Sequence, residues 1–317
     1  MHVAPESLTK ADHLIVGSTV VNAARDLIQR RFTARRSGKP IGIETGFRDL
    51  DEILGGGFQP GQTYVFGAPP ATGKSTLALA FSRTHSARGG RVIYISYEVG
   101  LEASILRALA DITGKEHDDL LGGGVDPSTI AATHWSRLEA ETKGIYFMDA
   151  TDLHNRPQVD DLARAVELVK GVGNDTDPYG PLVVLDFLQL AARWVSDNDR
   201  DDTRARVARL SNILTGLARR FQVPVLILSS VARSAYDEPE NLAAFKEAGD
   251  IESDADVAMI LGPRASCKDW YTQHKEDETW NLRLRVLKNR HGKTNGQDLD
   301  FKRNLLRFTD PQAGGRR

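Results

Sequence analysis

Short apolar runs punctuate the chain from residue 60 onward, at 63–67, 92–96, 145–148, 182–186, 225–229 and 257–261. These runs are apolar at nearly every position rather than at every second one. That pattern suits strands covered on both faces. Segments with helical periodicity lie between them, at roughly 75–88, 100–113, 157–172 and 203–221. Alternation of strand and helix predicts an α/β fold with a mostly parallel central sheet flanked by helices. The pattern changes near the end, where Leu282, Leu284 and Val286 alternate with Arg283 and Arg285. A Gly-containing turn then leads to 298–301 and 305–308, so antiparallel hairpin strands are expected at the sheet edge. Ahead of the sheet, Val21, Ala24, Ile28 and Phe32 recur at helical spacing and predict a helix over 19–36. Ser37-Gly38-Lys39-Pro40 stops it. Its apolar stripe needs a covering surface, on its own domain or on a neighbouring subunit. The expected organisation is a tail and linker helix at 1–40 and one large domain at 41–317.

Composition narrows this picture only a little. The chain has 317 residues, 40% of them hydrophobic, enough for a sizeable core. No apolar run approaches the ~20 residues that cross a bilayer, and no basic–apolar–small signal sequence opens the chain, so no membrane role is expected. The single cysteine, Cys267, excludes an internal disulfide and fits a cytoplasmic location. A net charge of −2 advertises no global field for nucleic acid, although a ring can line its channel with cations while its sum stays near zero. The polar stretch 196–202 is a candidate functional loop. His85, His117, His134, His154, His274 and His291 lack metal-ligand spacing, and no Gly-x-Ser-x-Gly occurs. Trp194, Trp270 and Trp280 are expected to pack at loop edges. Arg204, Arg206 and Arg209 suit a solvated helix face at least as well as a nucleic-acid contact.

The chemistry concentrates between a strand and a helix. Residues 68–76 read Ala68-Pro69-Pro70-Ala71-Thr72-Gly73-Lys74-Ser75-Thr76. Such a phosphate loop surrounds phosphate oxygens with backbone N–H groups and opens onto a helix N-terminus, whose dipole favours anions. Gly73 allows close backbone approach, Lys74 is expected to reach the β- and γ-phosphates of ATP, and the Ser75 hydroxyl to bind Mg²⁺. The first motif position is Ala68 rather than glycine, with Gly67 ahead of it, and a slightly shifted turn is expected. The apolar run 182–186 ends in Asp186, a second Mg²⁺ anchor of Walker B type. Glu98 follows the run 92–96, which is expected to lie beside the phosphate-loop strand. That would aim its carboxylate at the γ-phosphate as the base that activates water.

The order of these pieces resembles the RecA-like ATPases, and within them the C-terminal motor domain of DnaB-type hexameric replicative helicases. The resemblance covers about 20–310. It rests on Thr45 to Asp51 followed by Gly55-Gly56-Gly57-Phe58-Gln59-Pro60-Gly61, on the alanine-first loop, on Ser96-Tyr97-Glu98, and on Leu185-Asp186-Phe187-Leu188-Gln189-Leu190. Two C-terminal segments are the most discriminating: Lys246 to Asp256, and Lys288-Asn289-Arg290-His291-Gly292. The resemblance implies a ring, most simply a hexamer, with ATP sites between subunits. It implies 5′-to-3′ DNA helicase activity in replication and movement along single-stranded DNA. Lys246, Glu247 and Gly249 fall at its DNA-contact positions, and Lys288 and Arg290 at positions that reach the next subunit's ATP as trans-acting cations. Read without the resemblance, Lys288 and Arg290 suit a solvated basic hairpin.

Departures from the family pattern bear on function. Ser230 stands where the family has a glutamine thought to relay nucleotide state to the DNA loops. The family's N-terminal collar domain, which meets primase, is expected to be absent, leaving the helix at 19–36 as its linker. A primase or a helicase loader is the expected protein partner. Two rivals remain open. One is a RecA-like ATPase that does not unwind, resembling RadA recombination mediators or KaiC-like regulators. The other is a slowly hydrolysing, nucleotide-gated assembly module.

Overall fold

A computed structural model of the chain describes residues 17–151, 157–172, 179–194, 202–232, 236, 245, 254–265 and 267–312. The chain divides into two units, Met1–Ile41 and Gly42–Arg317. The first contains helix α1 (Gly17–Arg36), which ends in Arg35 and Arg36, cations that suit the negative end of a helix dipole.

The second unit is built on a sheet. Its described strands are β1 (Thr63–Ala68), β2 (Val92–Ser96), β3 (Ile145–Asp149), β4 (Leu182–Asp186), β5 (Val225–Ser230), β6 (Val257–Pro263), β7 (Thr279–Asn289), β8 (Asn295–Lys302) and β9 (Arg307–Thr309). They run in the order β3-β2-β4-β5-β1-β6-β7-β8-β9. All pairings from β3 to β6 are parallel, and those from β6 through β9 are antiparallel. One expectation fails here. β2 does not lie beside β1; β4 and β5 stand between them. The crossover after β1 skips two places, which later strands fill.

Alternate strand residues build two cores, as the pleat requires. Tyr64, Phe66, Tyr94, Val184 and Leu226 point to one face. There they meet Leu77 and Phe81 of α3 (Lys74–Ala87) and Leu109 of α4 (Leu101–Thr113). Val65, Ile93, Ile95, Leu185 and Ile227 point to the other, against Leu162 and Val166 of α7 (Val159–Gly171) and Leu210 and Leu214 of α9 (Thr203–Phe221). This double cover explains the unbroken apolar runs. The hairpin strands alternate instead, sending Leu282, Leu284, Val286, Leu299 and Phe301 into the first core. Trp270 and Trp280 also belong to that core, 7% and 5% exposed and edge-on at 5.5 Å, so they do not pack at loop edges. Trp280 also donates its indole N–H to the His274 carbonyl at 2.8 Å and carries the Arg303 guanidinium on its ring at 4.3 Å.

Three short helices have no clear apolar period: α2 (Arg48–Ile53), α5 (His117–Gly122) and α6 (Ala132–Thr142). α6 buries only Leu138, and α5 buries nothing fully. What fixes α6 is charge. Arg83 of α3, nearly buried, bonds Asp111 of α4 at 2.8 Å and, through Nε, Glu141 of α6 at 2.9 Å. Arg307 of β9 reaches Asp111 at 2.8 Å, and Arg137 reaches Glu141 at 2.7 Å. Truncating Arg83 would leave Asp111 and Glu141 only their more exposed partners, Arg307 and Arg137. We expect Arg83→Ala to lose about 1–3 kcal/mol of unfolding free energy in urea titration.

Asp51 in α2 accepts the Thr45 N–H at 2.7 Å, yet burial pushes its carboxyl up from 3.8 to about 6. A raised pKa means that the folded state holds the proton more tightly. The stability contributed by protonation is full below pH ~4 and is lost as pH rises to ~6. Asn at this position keeps an acceptor but cannot ionise. Relative to Asp51→Asn, the unsubstituted chain should therefore lose on the order of 1–3 kcal/mol between pH 4 and 7, measured by denaturant titration across that range.

Candidate nucleotide-binding site

β1 delivers the phosphate loop. Ala68 is its last residue, in register with Ser230 of β5, so the motif's first position fits the ladder and needs no glycine. Gly67 is the constrained position: a Cβ there would stand 2.6 Å from Phe245 and 2.8 Å from Val231. The turn beyond is closed by Thr72, whose hydroxyl donates to the Pro69 carbonyl at 2.6 Å. Ala71 and Gly73 adopt left-handed conformations, φ 62° and 83°, and α3 starts at Lys74. Gly73 has no side chain to cap this helix, so the first-turn N–H groups face the loop without a side-chain acceptor. Gly73 also rests on the stacked Phe301–Phe308 pair of β8 and β9, whose ring centroids lie 4.3 Å apart; a Cβ would meet both rings at 2.8 Å.

β4 and β2 supply the carboxylates. Ser96 pairs with Asp186, and the Tyr97 N–H donates to the Asp186 carbonyl at 2.7 Å. The Ser96 hydroxyl donates to the Val99 carbonyl at 2.6 Å and accepts the Val99 N–H at 3.3 Å, which folds a tight turn around Glu98. Glu98 is exposed on that turn. It reaches the site across β4, not from a strand adjoining β1. Asp186 is 1% exposed, accepts the Tyr94 hydroxyl on Oδ2 at 3.0 Å, and has no hydrogen-bond partner for Oδ1 among the described residues.

Lys74 binds these parts together electrostatically. Burial lowers its ammonium below the usual lysine range, while Asp186 and Glu98 act to raise it. Its Nζ sits 4.5 Å over the Phe187 ring. Phe187, Ser96 and Tyr94 shape the site; in the sequence the first two marked the family resemblance without a role of their own, and Tyr94 carried no signal. Beside them, Gln189 of α8 (Leu188–Ala191) donates to the Ser229 hydroxyl at 2.9 Å and accepts the Ser230 N–H at 3.0 Å.

Lys288 and Arg290 are elsewhere. β7 runs antiparallel to β6, so Asn289 pairs with Val257, which is level with Tyr64 near the start of β1. The four residue steps from Tyr64 to Ala68 put roughly 13 Å between that level and the phosphate loop. The turn is pinned at this opposite edge. Asp256 accepts the Thr63 N–H at 2.9 Å and pairs with Arg290 and His291 at 3.6 Å each; its carbonyl accepts the Arg290 N–H at 3.0 Å. Lys246, Glu247 and Gly249, and most of the 196–202 loop, lie outside the described residues.

A family model, the DnaB-like helicase C terminal domain, matches residues 42–310. The chain belongs to this family. A "Replicative DNA helicase DnaB" of Leifsonia xyli subsp. xyli is 31% identical over 87% of the chain and 57% of its own length. The similar protein of Geobacillus stearothermophilus is 26% identical over 87% of the chain and 58% of its own length. The DnaB-like chain thus spans under two thirds of these curated relatives. Among solved structures, the ATPase domain of G40P superposes with a TM-score of 0.75 at 20% identity, covering 93% of this chain and 99% of that one. The fold is therefore RecA-like in the manner of DnaB-family motor domains.

The packing of the loop on the aromatic pair is testable. Gly73→Ala adds both a left-handed alanine and a ring clash. We expect a loss of at least ~1–2 kcal/mol in thermal or denaturant unfolding, together with weakened binding of a fluorescent ATP analogue at the folded fraction.

Proposed function

We propose that this chain is the ATP-driven motor of a ring-forming DNA helicase acting in replication, with each ATP site completed by the neighbouring subunit. The observation that carries this reading is the placement of charge on two opposite sheet edges. Lys74, Asp186 and Glu98 gather at the carboxyl edge, while Lys288 and Arg290 sit at the other, out of reach of their own phosphate loop. If these cations serve a nucleotide, it is another subunit's.

The residues present fit ATP with Mg²⁺. Residues 68–76 offer a backbone turn, an uncapped helix start and a buried ammonium. Asp186 Oδ1 is a buried oxygen without a partner, and Ser75 opens the same helix. Among the described residues, no group of three or more His, Cys, Asp or Glu side chains could hold a metal unaided. A cation here would need further ligands from outside the protein, as Mg²⁺ commonly does. Asp186 and Ser75 would hold it, and when bound Mg²⁺ would supply positive charge against the phosphates. Lys74 leaves the Phe187 ring to bond those phosphates. Glu98 orients water and takes its proton. Arg290 and Lys288 of the next subunit offset charge on the transferring phosphoryl group. Lys246, Glu247 and Gly249 contact the backbone of single-stranded DNA, largely without regard to sequence. Family likeness supports a hexamer moving 5′-to-3′, with a primase or a helicase loader as partner. A DnaB-like replicative helicase solved for its interactions with primase superposes at TM-score 0.71 and 20% identity, over 93% of this chain and 67% of that one.

Ser230 favours a second reading, a RecA-like ATPase that does not unwind. Its short side chain leaves Gln189 as the amide that bridges the ends of β4 and β5.

Two assays separate these readings. DNA-stimulated ATP turnover and displacement of a forked duplex are expected; turnover indifferent to DNA, without displacement, selects the second reading. Shared sites are tested by mixing. Lys74→Ala and Arg290→Ala should each lower turnover on the order of 10³-fold. Mixed subunits should recover a measurable share, because one interface then carries an intact loop and an intact cation. No recovery on mixing would contradict catalysis across the interface.

A further inference from the structure

Tyr94 lies in the middle of β2, 2% exposed, on the face that packs against α3 and α4. Its ring needs no hydroxyl to fill that space. It packs at 5.8 Å from Phe147, and the strand neighbours Val92, Ile93 and Ile95 are wholly apolar. A hydroxyl so deep must find a partner, because an unbonded one costs free energy without adding packing. The partners that it finds are specific. The oxygen stands 3.0 Å from Asp186 Oδ2 and 3.5 Å from the Ser75 carbonyl. One phenol thus touches both residues assigned above to the metal.

We propose that Tyr94 is a positioning residue for the metal site, its hydroxyl fixing the Asp186 carboxylate so that Oδ1 alone is presented to the cation's coordination sphere. The proposal rests on the ATP and Mg²⁺ reading of this site. Asp186 is almost completely buried, and a buried carboxylate needs donors to stay charged and oriented. Oδ2 has the Tyr94 donor, while Oδ1 has none. The asymmetry selects one oxygen for the metal. The phenol has a single proton, so a full bond to Asp186 leaves only the long, secondary approach to Ser75. A phenylalanine would preserve the packing and lose the selection.

The experiment compares the unsubstituted chain with Tyr94→Phe, using ADP and Mn²⁺ as a spectroscopic stand-in for Mg²⁺. Mn²⁺ binding is read by electron paramagnetic resonance, and metal-free ADP binding by calorimetry. Tyr94→Phe is expected to weaken Mn²⁺ binding to the ADP complex about tenfold or more, the scale of a lost hydrogen bond to a charged group. Metal-free ADP affinity should stay within about twofold, and the Mg²⁺ concentration for half-maximal turnover should rise while the KM for ATP holds. A packing defect would move both affinities together. Equal Mn²⁺ affinity in the two proteins overturns the proposal, as does a parallel loss of metal-free ADP binding. If Tyr94→Phe shows no cooperative melt, Tyr94→Leu is read by the same criteria. Failure of the unsubstituted chain to bind ADP with Mn²⁺ would instead overturn the nucleotide reading itself, and this inference with it.

Discussion

Parallel strands share one polarity, so every carboxyl end arrives at the same edge of the sheet. The candidate nucleotide site follows from that constraint. Ala68, Ser96, Asp186 and Ser230, the last residues of β1, β2, β4 and β5, come together because four separate segments must finish side by side. A helix beginning at the same edge points its positive end into the gap. Reversing the chain direction after β6 sends the next turn to the other edge. The switch from parallel to antiparallel pairing thus separates the loop cations of Lys74 from those of Lys288 and Arg290.

Charge inside this fold is tolerated only where it is answered. Arg83 is answered by Asp111 and Glu141, and these in turn by Arg307 and Arg137. Lys74 is different. Among the described residues, no carboxylate closes on it at ion-pair distance; an aromatic face lies beneath it, and Asp186 and Glu98 act through space. Asp186 keeps one oxygen unanswered. The structural ions are saturated, and the ions at the carboxyl edge are left in debt to a ligand.

Much of this was legible in the sequence, and the reasons for the misses are physical. Runs at 92–96 and 182–186 coincide with β2 and β4 because burial on both faces leaves little freedom of composition. The hairpin strands showed through alternation, although β7 runs longer than its apolar core suggested, from Thr279 to Asn289. Strand order was not legible. Local pattern says that a strand exists and not which neighbour it takes, so the strand that leads to Glu98 was expected beside β1, where β4 and β5 intervene. α5 and α6 escaped because charge and connection hold them rather than an apolar stripe. Trp270 and Trp280 sit among polar residues in sequence but among aromatic rings in space. Of the site, the loop and Asp186 were visible as motifs. Tyr94 was not, since a tyrosine in a strand carries no sign of what its oxygen will meet.

The hairpin of β7 and β8 has a consequence in mechanical terms. Its turn, with Arg290 moored to Asp256, lies at one edge of the sheet, and its base, Phe301, bears on Gly73 at the other. β8 covers the seven residues from Asn295 to Phe301 in roughly 20 Å. It is a stiff strut, hydrogen-bonded along its length to β7 and wedged beneath the phosphate loop. A load applied at the turn is carried lengthwise to the glycine on which α3 begins.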